Sequence, residues 1–339
     1  MLRAANWVGD AVMTTPAIRA VRKNFPAARI TILAKPWVIP VFQHNPHLDS
    51  VMPYEAAGRH KGVLGLMRLA RDIHQRNFDL AILFQNAFEA ALLAFAAGIP
   101  RRLGYATDGR TALLTDRLYN YRELKKGHLV DYYLGILEGP GLDLDGRKLE
   151  LFLSTEEREN ARGQLSKLGI ASAEPLAGLN PGATFGTAKR WLPERFAELS
   201  RRLYAEHGYR SLLFGGPSEA QLGEQIAAAS AGSAINLCGG TDLRTAMALI
   251  DRCRFFITND SGLMHVAAAF DKPQLAIIGP TDHIATGPSN PCSRIVRVPG
   301  ACHLSPCLLA DCPIDHRCMT CITVDFVLAE LQALLAETA

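Results

Sequence analysis

"RFFITNDSGLMHVAAAF", residues 254–270, contains the change of pattern that decides the fold class. Its first part is a short apolar run typical of a buried strand, and its last part is an alanine-rich helical segment. Small and polar residues, 259–262, form the turn between them. A strand that leads directly into a helix in this way indicates a parallel sheet covered by helices.

The same pattern recurs along the whole chain. Strand-like runs at residues 2–5, 29–34 and 78–84 alternate with helical segments at 16–24 and 87–97, and five more runs follow at 176–182, 210–216, 233–239, 254–260 and 273–280. A charged connection at residues 143–175 separates the two sets, with a helical pattern over 155–168. We therefore predict an α/β protein with two parallel-sheet domains, whose ligands bind at the carboxyl ends of the strands.

Length and composition agree with two soluble domains. The chain has 339 residues, of which 48% are hydrophobic and 20% charged, and its formal net charge is only +3. That charge is too small to indicate a nucleic-acid partner. The longest apolar run, residues 90–99, is shorter than the roughly 20 residues of a spanning helix, and no signal sequence is recognisable at the start. We expect a cytoplasmic protein.

Two loops of the second half have the composition of anion sites. In "NPGATFGTAKRWLPERF", residues 180–196, glycines permit close backbone approach, and Lys189 and Arg190 supply positive charge for a diphosphate. In "TNDSGLMHVAAAF", residues 258–270, Ser261 and Gly262 would present N–H groups at a helix start. The alternatives are an ordinary basic loop in the first case, and in the second a helix capped by Asp260 with His265 packed inside.

A third loop, "NWVGDAV" at residues 6–12, has a single glycine and ends its turn with a carboxylate, Asp10. A carboxylate repels phosphate, so this loop requires a different role. The alternative is that Asp10 only caps the following helix.

Taken together, "NWVGDAVMTTPAIRAVR", "PGATFGTAKRW" and "TNDSGLMHVAAA" resemble the ADP-heptose:lipopolysaccharide heptosyltransferases, most closely the heptosyltransferase II type. The resemblance implies a GT-B architecture of two Rossmann-like domains facing across a cleft. Residues 1–155 would bind the acceptor and residues 156–322 would bind ADP-heptose, while a helix within residues 323–339 would return toward the first domain. The first strand is a few residues shorter than the family pattern, which suggests a misassigned start codon.

The resemblance also implies roles for individual residues in an inverting, metal-independent transfer of heptose to the inner core of lipopolysaccharide. Asp10 is the predicted catalytic base, and Lys189 is predicted to stabilise the departing diphosphate. The predicted donor-binding residues are Thr184, Lys189, Glu219, Thr241, Asp260, Ser261, Gly262 and His265. No cofactor is expected besides the substrate ADP-heptose.

A basic segment of the first half is the predicted acceptor site. Residues 56–126 contain twelve Lys and Arg against six Asp and Glu. The predicted contacts to the acceptor, or to the membrane surface, are Arg59, Lys61, Arg68, Arg101 and Arg102. The acceptor would be the lipid A-core at the inner membrane, where the protein would be peripheral, without an obligate protein partner. The alternative is that these residues only solvate helix faces.

Other functions remain open from the sequence. Within the same class, the chain would be another transferase of the family acting at a different core sugar. From a different class, it would be a nucleotide-sugar binding protein without turnover, although such a protein has no need of Asp10. A dehydrogenase is disfavoured because the glycines of its pyrophosphate turn are missing.

Five cysteines lie close together near the end of the chain, with the spacing Cys302-x4-Cys307-x4-Cys312-x5-Cys318-x2-Cys321. Zinc ribbons have two close pairs, and only the last two cysteines form one. A cytosolic location disfavours stable disulfides. We expect reduced thiols that pack a loop, and the alternatives are a structural zinc site and a redox pair.

Overall fold

The computed structural model describes residues 1–338, which form two compact units. The first unit ends at Phe152 and the second begins at Leu153, close to the predicted boundary at residue 155. Each unit contains one six-stranded sheet, and every strand pair in both sheets is parallel. The predicted α/β class with two Rossmann-like parallel sheets is therefore confirmed.

The first unit has strand order β3-β2-β1-β4-β5-β6. Its strands are β1 (Leu2–Arg3), β2 (Thr31–Ala34), β3 (Ser50–Pro53), β4 (Leu80–Leu83), β5 (Arg101–Tyr105) and β6 (Asp116–Leu118). Its helices are α1 (Val8–Met13), α2 (Thr15–Asn24), α3 (Ile39–Phe42), α4 (Gly62–His74), α5 (Phe88–Ala96), α6 (Tyr121–Leu124) and α7 (Leu129–Glu138), with a 3-10 turn at Thr111–Leu113.

The second unit has strand order β12-β11-β10-β7-β8-β9. Its strands are β7 (Leu176–Asn180), β8 (Arg210–Leu213), β9 (Ala234–Asn236), β10 (Phe255–Asn259), β11 (Gln274–Ile277) and β12 (Ser293–Val296). Its helices are α8 (Thr155–Lys167), α9 (Pro193–His207), α10 (Ala220–Ala229), α11 (Leu243–Arg252), α12 (Gly262–Ala269), α13 (His283–Thr286), α14 (Arg317–Thr320) and α15 (Val324–Glu337), with 3-10 turns at Thr187–Lys189 and Pro217–Glu219.

Differences in burial explain which strands could be predicted from the sequence. The central strands β7 and β10 are buried at every position, so they read as continuous apolar runs. The unpredicted strands β3, β5, β6 and β12 lie toward the sheet edges and contain half-buried or exposed residues. Their mixed composition has no apolar run long enough to be distinguished from a loop.

Each sheet has a switch point, where the strand order reverses direction along the chain. It lies between β1 and β4 in the first unit and between β7 and β10 in the second. In open parallel sheets, ligands bind outside the carboxyl ends of the strands at this position. We therefore expect ligands to bind at the segments that follow β1, β7 and β10. These segments contain the three sequence motifs.

The C-terminal helix α15 contributes one face to the core of the second unit. Its apolar stripe, Val324, Val327, Leu328, Leu331 and Leu334, is buried there and packs on β11, β12 and α9. The predicted return of this helix toward the first domain stays a prediction. Ala339, the last residue of the predicted segment, lies outside the described residues.

Candidate functional site

Asp10 lies at the switch point of the first sheet. It is the third residue of α1, the short helix that follows β1, and it is half-buried. The hydroxyl of Tyr133, on α7, donates a hydrogen bond to Asp10 Oδ1 at 2.7 Å. Burial and the neighbouring Asp10 carboxylate hold the pKa of Tyr133 well above its usual value. The phenol therefore remains protonated and fixes the orientation of the carboxylate.

The structure rules out the capping interpretation of Asp10. The N-cap of α1 is Trp7, and no side chain caps this helix end. Asp10 sits inside the first turn, where a negative charge is favoured by the helix dipole but does not terminate the helix. Its hydrogen bond from Tyr133 instead crosses to a helix 123 residues away in sequence. This hydrogen bond therefore orients the Asp10 side chain at the carboxyl edge of the sheet.

Arg3 and Trp37 stabilise the turn that precedes Asp10 through hydrogen bonds. The buried guanidinium of Arg3 donates to the Ala4 carbonyl at 2.6 Å and to Asn6 Oδ1 at 3.0 Å, and Trp37 Nε1 donates to the Asn6 carbonyl at 2.7 Å. Burial lowers the pKa of Arg3 to about 10, so the group remains charged at neutral pH. The turn that leads to Asp10 is consequently a fixed part of the scaffold.

In the second unit, β7 and β10 end side by side in a network of buried polar groups. Asn180, the last residue of β7, donates to the Phe214 carbonyl at 2.7 Å and accepts from Ser261 Oγ at 2.5 Å. Asn259, the last residue of β10, donates to the Pro181 carbonyl at 2.7 Å and accepts from the Trp191 N–H at 3.0 Å. The two motif loops are therefore joined to each other through the side chains of Asn180, Asn259 and Ser261.

Lys189 and Asp260, one from each motif loop, form an ion pair. Lys189 Nζ lies 2.8 Å from Asp260 Oδ2, and the two side chains are 17% and 8% exposed. The same Nζ lies 5.5 Å from the centre of the Phe185 ring. The N-cap of α12 is Ser261, so Asp260 does not cap the helix and the capping alternative for it is wrong. The hydroxyl of Ser261 is directed to Asn180, which leaves the first N–H groups of α12 uncapped by any side chain.

Glu219 packs directly against the first motif loop. A Cβ atom added to Gly182 would lie 1.8 Å from Glu219 Oε1, so any larger residue would displace this carboxylate. Glu219 Oε2 accepts the Gly216 N–H at 2.8 Å, and the residue is buried. The carboxylate thus supports the backbone of two glycine-containing loops, and the structure places it beside the predicted donor site.

The remaining donor candidates lie in other segments at the same edge of the second sheet. Thr184 is exposed in the loop between Gly182 and Lys189, and His265 is buried on α12. Thr241 is half-buried between β9 and α11. The loop after β9 lies against the Pro217–Glu219 turn, because a Cβ atom on Gly239 would be 3.1 Å from Pro217 Cα. The donor candidates therefore lie in the segments that follow β7, β8, β9 and β10.

The five predicted acceptor residues divide between opposite edges of the first sheet. Arg59 and Lys61 follow the carboxyl end of β3, and Arg68 lies on the next helix, α4. Arg101 and Arg102 begin β5, at the amino edge, where Arg101 pairs with Asp116 at 2.6 Å. Arg102 Nε donates to the Leu113 carbonyl at 2.6 Å. Because Asp10 lies at the carboxyl edge, the structure does not bring Arg101 and Arg102 together with it.

The cysteine-rich segment contacts the Lys189 loop. The Ala310 carbonyl accepts the Ala188 N–H at 2.9 Å, Asp311 Oδ1 accepts from Thr187 Oγ1 at 2.6 Å, and His316 Nε2 lies 2.7 Å from the Ala188 carbonyl. All eight cysteines are free thiols. Burial and the nearby thiols of three other cysteines of the segment raise the pKa of Cys318 to about 11. This segment therefore braces the predicted donor loop.

Residues 1–338 contain neither a cluster of metal ligands nor a helix suited to span a membrane. No group of three or more His, Cys, Asp and Glu side chains in this range is arranged to hold a metal ion. No helix in it combines the length and hydropathy that crossing a bilayer requires.

Several residues around the candidate site were not predicted from the sequence, although some of them could have been. Arg3 could have been predicted, because an arginine within a buried strand needs polar partners nearby. The asparagines at the ends of β7 and β10, Asn180 and Asn259, were visible within the quoted motifs. Tyr133 had no signal, because only tertiary packing brings α7 to Asp10.

Known proteins resemble the chain along its full length. Residues 66–316 match the sequence profile of glycosyltransferase family 9 (heptosyltransferase). Lipopolysaccharide heptosyltransferase 2 of Salmonella typhimurium is 32% identical over 344 residues, which cover 98% of this chain and 97% of that protein. The solved structure of E. coli ADP-heptose LPS heptosyltransferase II matches with a TM-score of 0.82 at 31% identity, covering 100% and 99% of the two chains. A glycosyl transferase family 9 structure from Veillonella parvula matches with a TM-score of 0.87 at 25% identity, covering 99% and 96%.

Proposed function

Since the chain belongs to glycosyltransferase family 9, the heptosyltransferases, we propose that it transfers heptose from ADP-heptose to the inner core of lipopolysaccharide. The family that the three motifs predicted is thereby confirmed, and the chain is a glycosyltransferase. The names of its relatives, which include an ADP-heptose and a lipopolysaccharide enzyme, support this choice of donor and acceptor.

The placement of Asp10 carries the proposal of catalysis. The proton of the acceptor hydroxyl passes to the Asp10 carboxylate while the hydroxyl oxygen forms a bond to the anomeric carbon. The bond between that carbon and the diphosphate breaks, and its electron pair leaves with ADP. Attack from the face opposite the leaving group inverts the anomeric configuration. Tyr133 holds the carboxylate through the 2.7 Å hydrogen bond, so the base is oriented before the substrates arrive.

Lys189 and the start of α12 are the proposed stabilisers of the departing diphosphate. The ammonium group of Lys189 and the uncapped N–H groups near Ser261 supply positive charge at the switch point of the second sheet. Asp260 aims the lysine through its 2.8 Å ion pair. With this charge supplied by the chain, we propose that no divalent cation is required.

The acceptor site is proposed to include two indole rings beside Asp10. Trp7 directly precedes α1 and is 62% exposed, while Trp37 is 52% exposed and is hydrogen-bonded to the same turn. Exposed aromatic faces are suited to stack on the apolar face of a sugar ring. Arg59 and Lys61 follow β3 at the same sheet edge and are suited to bind acceptor phosphates or carboxylates.

The experiment is incubation of the protein with ADP-heptose and a set of truncated, delipidated core acceptors, with mass detection of the product. We expect ADP release and an acceptor heavier by one heptose, with inverted configuration by NMR. Activity should persist in EDTA. ADP-heptose binding without product for any acceptor would instead identify a nucleotide-sugar binding protein, and a product only with a different core acceptor would identify another transferase of the family.

A further inference from the structure

Helix α4 has apolar residues on both of its faces. Gly65, Leu69, Ala70 and Ile73 pack into the core of the first unit. On the outer side, Val63, Leu64 and Met67 are 70%, 77% and 62% exposed. A helix on the surface of a soluble domain normally presents polar residues to water. The outer face of α4 is therefore an exposed apolar patch that needs an explanation.

The exposed residues share one side of the helix with positive charge. Val63, Leu64, Met67, Arg68 and Arg71 have the spacing i, i+1, i+4, i+5 and i+8, which places them on one side at 3.6 residues per turn. We refer to these five residues as the α4 face. All five are exposed.

Positive charge predominates around the α4 face. Residues 59–72 include four Lys and Arg and a single acidic residue, Asp72. Within the described part of the chain, Lys61 and Arg71 form no ion pair, whereas Arg59 is paired with Asp72 at 2.8 Å. Apolar side chains surrounded by cations are the composition of an interfacial helix that rests on an anionic lipid surface.

The α4 face is also held rigidly. The Glu55 N–H donates to His60 Nδ1 at 3.0 Å, and the His60 N–H donates to the Glu55 carbonyl at 3.0 Å. A Cβ atom on Gly65 would lie 2.2 Å from the His60 carbonyl carbon, so the helix and the preceding loop are in direct backbone contact. The helix backbone is thus already fixed before binding, so only the exposed side chains have to be ordered at the surface.

We propose that the α4 face docks this protein on a bilayer surface that contains anionic lipids, with Val63, Leu64 and Met67 inserted below the headgroups. A second copy of the chain is a poorer occupant, because pairing two α4 faces would bring like charges together. The loop before α4 follows the carboxyl end of β3, the same sheet edge that carries Asp10. This inference rests on the proposed function for its purpose, which is to keep the enzyme at a lipid-linked acceptor.

The test is flotation of the full chain with vesicles of phosphatidylcholine, with and without one third phosphatidylglycerol, in the absence of any acceptor. The variant combines Val63→Ser, Leu64→Ser and Met67→Ser. The matched control combines Leu168→Ser and Ile284→Ser, two exposed apolar residues of the second unit. We expect the wild type and the control to float with anionic vesicles, more weakly at high salt, and the triple variant to bind at least about tenfold more weakly.

Activity measurements on two kinds of acceptor distinguish a defect in docking from a defect in catalysis. The triple variant should transfer heptose to a delipidated core acceptor at the wild-type rate but should lose activity on an acceptor embedded in anionic vesicles. Equal flotation of the triple variant and the wild type, or no flotation of the wild type, would overturn the docking proposal. Light scattering without lipid gives a further outcome. If the wild type is a dimer and the triple variant is a monomer, the α4 face binds a second copy of the chain and the docking proposal is overturned. Failure of the proposed function is a different result, namely no product from the wild type with delipidated acceptor.

Discussion

Replacing Tyr133 by Phe tests how Asp10 is oriented. The substitution removes only the hydroxyl that donates to Asp10 Oδ1 at 2.7 Å. The ring itself should stay in place, because it packs edge-on against Phe84 and Tyr132, with centroids 6.2 Å and 5.7 Å away. The variant is therefore expected to fold normally, with at most a small decrease in Tm.

The size of the effect follows from the kind of hydrogen bond that is lost. A hydrogen bond to a charged group contributes about 1.5–3 kcal/mol. If the carboxylate needs that bond to be correctly placed in the transition state, kcat falls by roughly 10- to 100-fold, since about 1.4 kcal/mol corresponds to tenfold in rate. The lost donor also stabilised the charged carboxylate, so the acidic limb of the pH–rate profile should move to higher pH in Tyr133→Phe.

The assay is steady-state kinetics over a range of pH with saturating ADP-heptose and a delipidated acceptor. Tyr132→Phe is the matched control, because Tyr132 is the neighbouring buried tyrosine and its hydroxyl accepts from Asn86 Nδ2 at 2.5 Å. The reasoning is refuted if Tyr133→Phe retains the wild-type kcat and pH profile. It is also refuted if the Tyr132→Phe control loses as much activity as Tyr133→Phe.

Three further predictions concern the second unit. Lys189→Ala should fold normally and lower kcat/KM by two to four orders of magnitude, about 3–5 kcal/mol, and near-normal turnover would contradict its role at the diphosphate. Gly182→Ala should lower both Tm and ADP-heptose affinity, because its Cβ would lie 1.8 Å from Glu219 Oε1, and an unchanged melting curve and affinity would contradict that contact. In mass-spectrometric alkylation at mildly alkaline pH, exposed Cys321 should react quickly, whereas Cys253, whose pKa burial raises to about 12, should react only after unfolding. Rapid labelling of native Cys253 would contradict its burial.

The sequence predicted the fold class because the central strands are buried on both faces. Buried parallel strands such as β7 and β10 leave long apolar runs that end in Asn, Asp or Gly, and these runs located the sheets and the ligand loops. The outer strands were missed because their exposed faces break the apolar run. The apolar stripe of α15 indicates a buried helix but not the surface that it packs against, which only the structure identifies as the core of the second unit.

The candidate site was predictable only where local sequence determines it. Asp10, Lys189, Asp260 and Ser261 lie in the segments that directly follow central strands, and their motifs were visible in the chain. Tyr133 is 123 residues from Asp10 in sequence, so no local pattern connects the two. Charge alone also overextended the acceptor site, since it does not distinguish the amino edge of a sheet from its carboxyl edge.

Asp10→Asn is the most direct test of the proposal that Asp10 is the general base. Asparagine keeps an oxygen that can accept the hydrogen bond from Tyr133, so the turn and its packing should be preserved. It cannot take a proton from the acceptor hydroxyl. We predict wild-type Tm and ADP-heptose affinity together with a loss in kcat of at least about a hundredfold, within the roughly 10²–10⁴ range for general-base catalysis. Normal turnover by Asp10→Asn would contradict the mechanism.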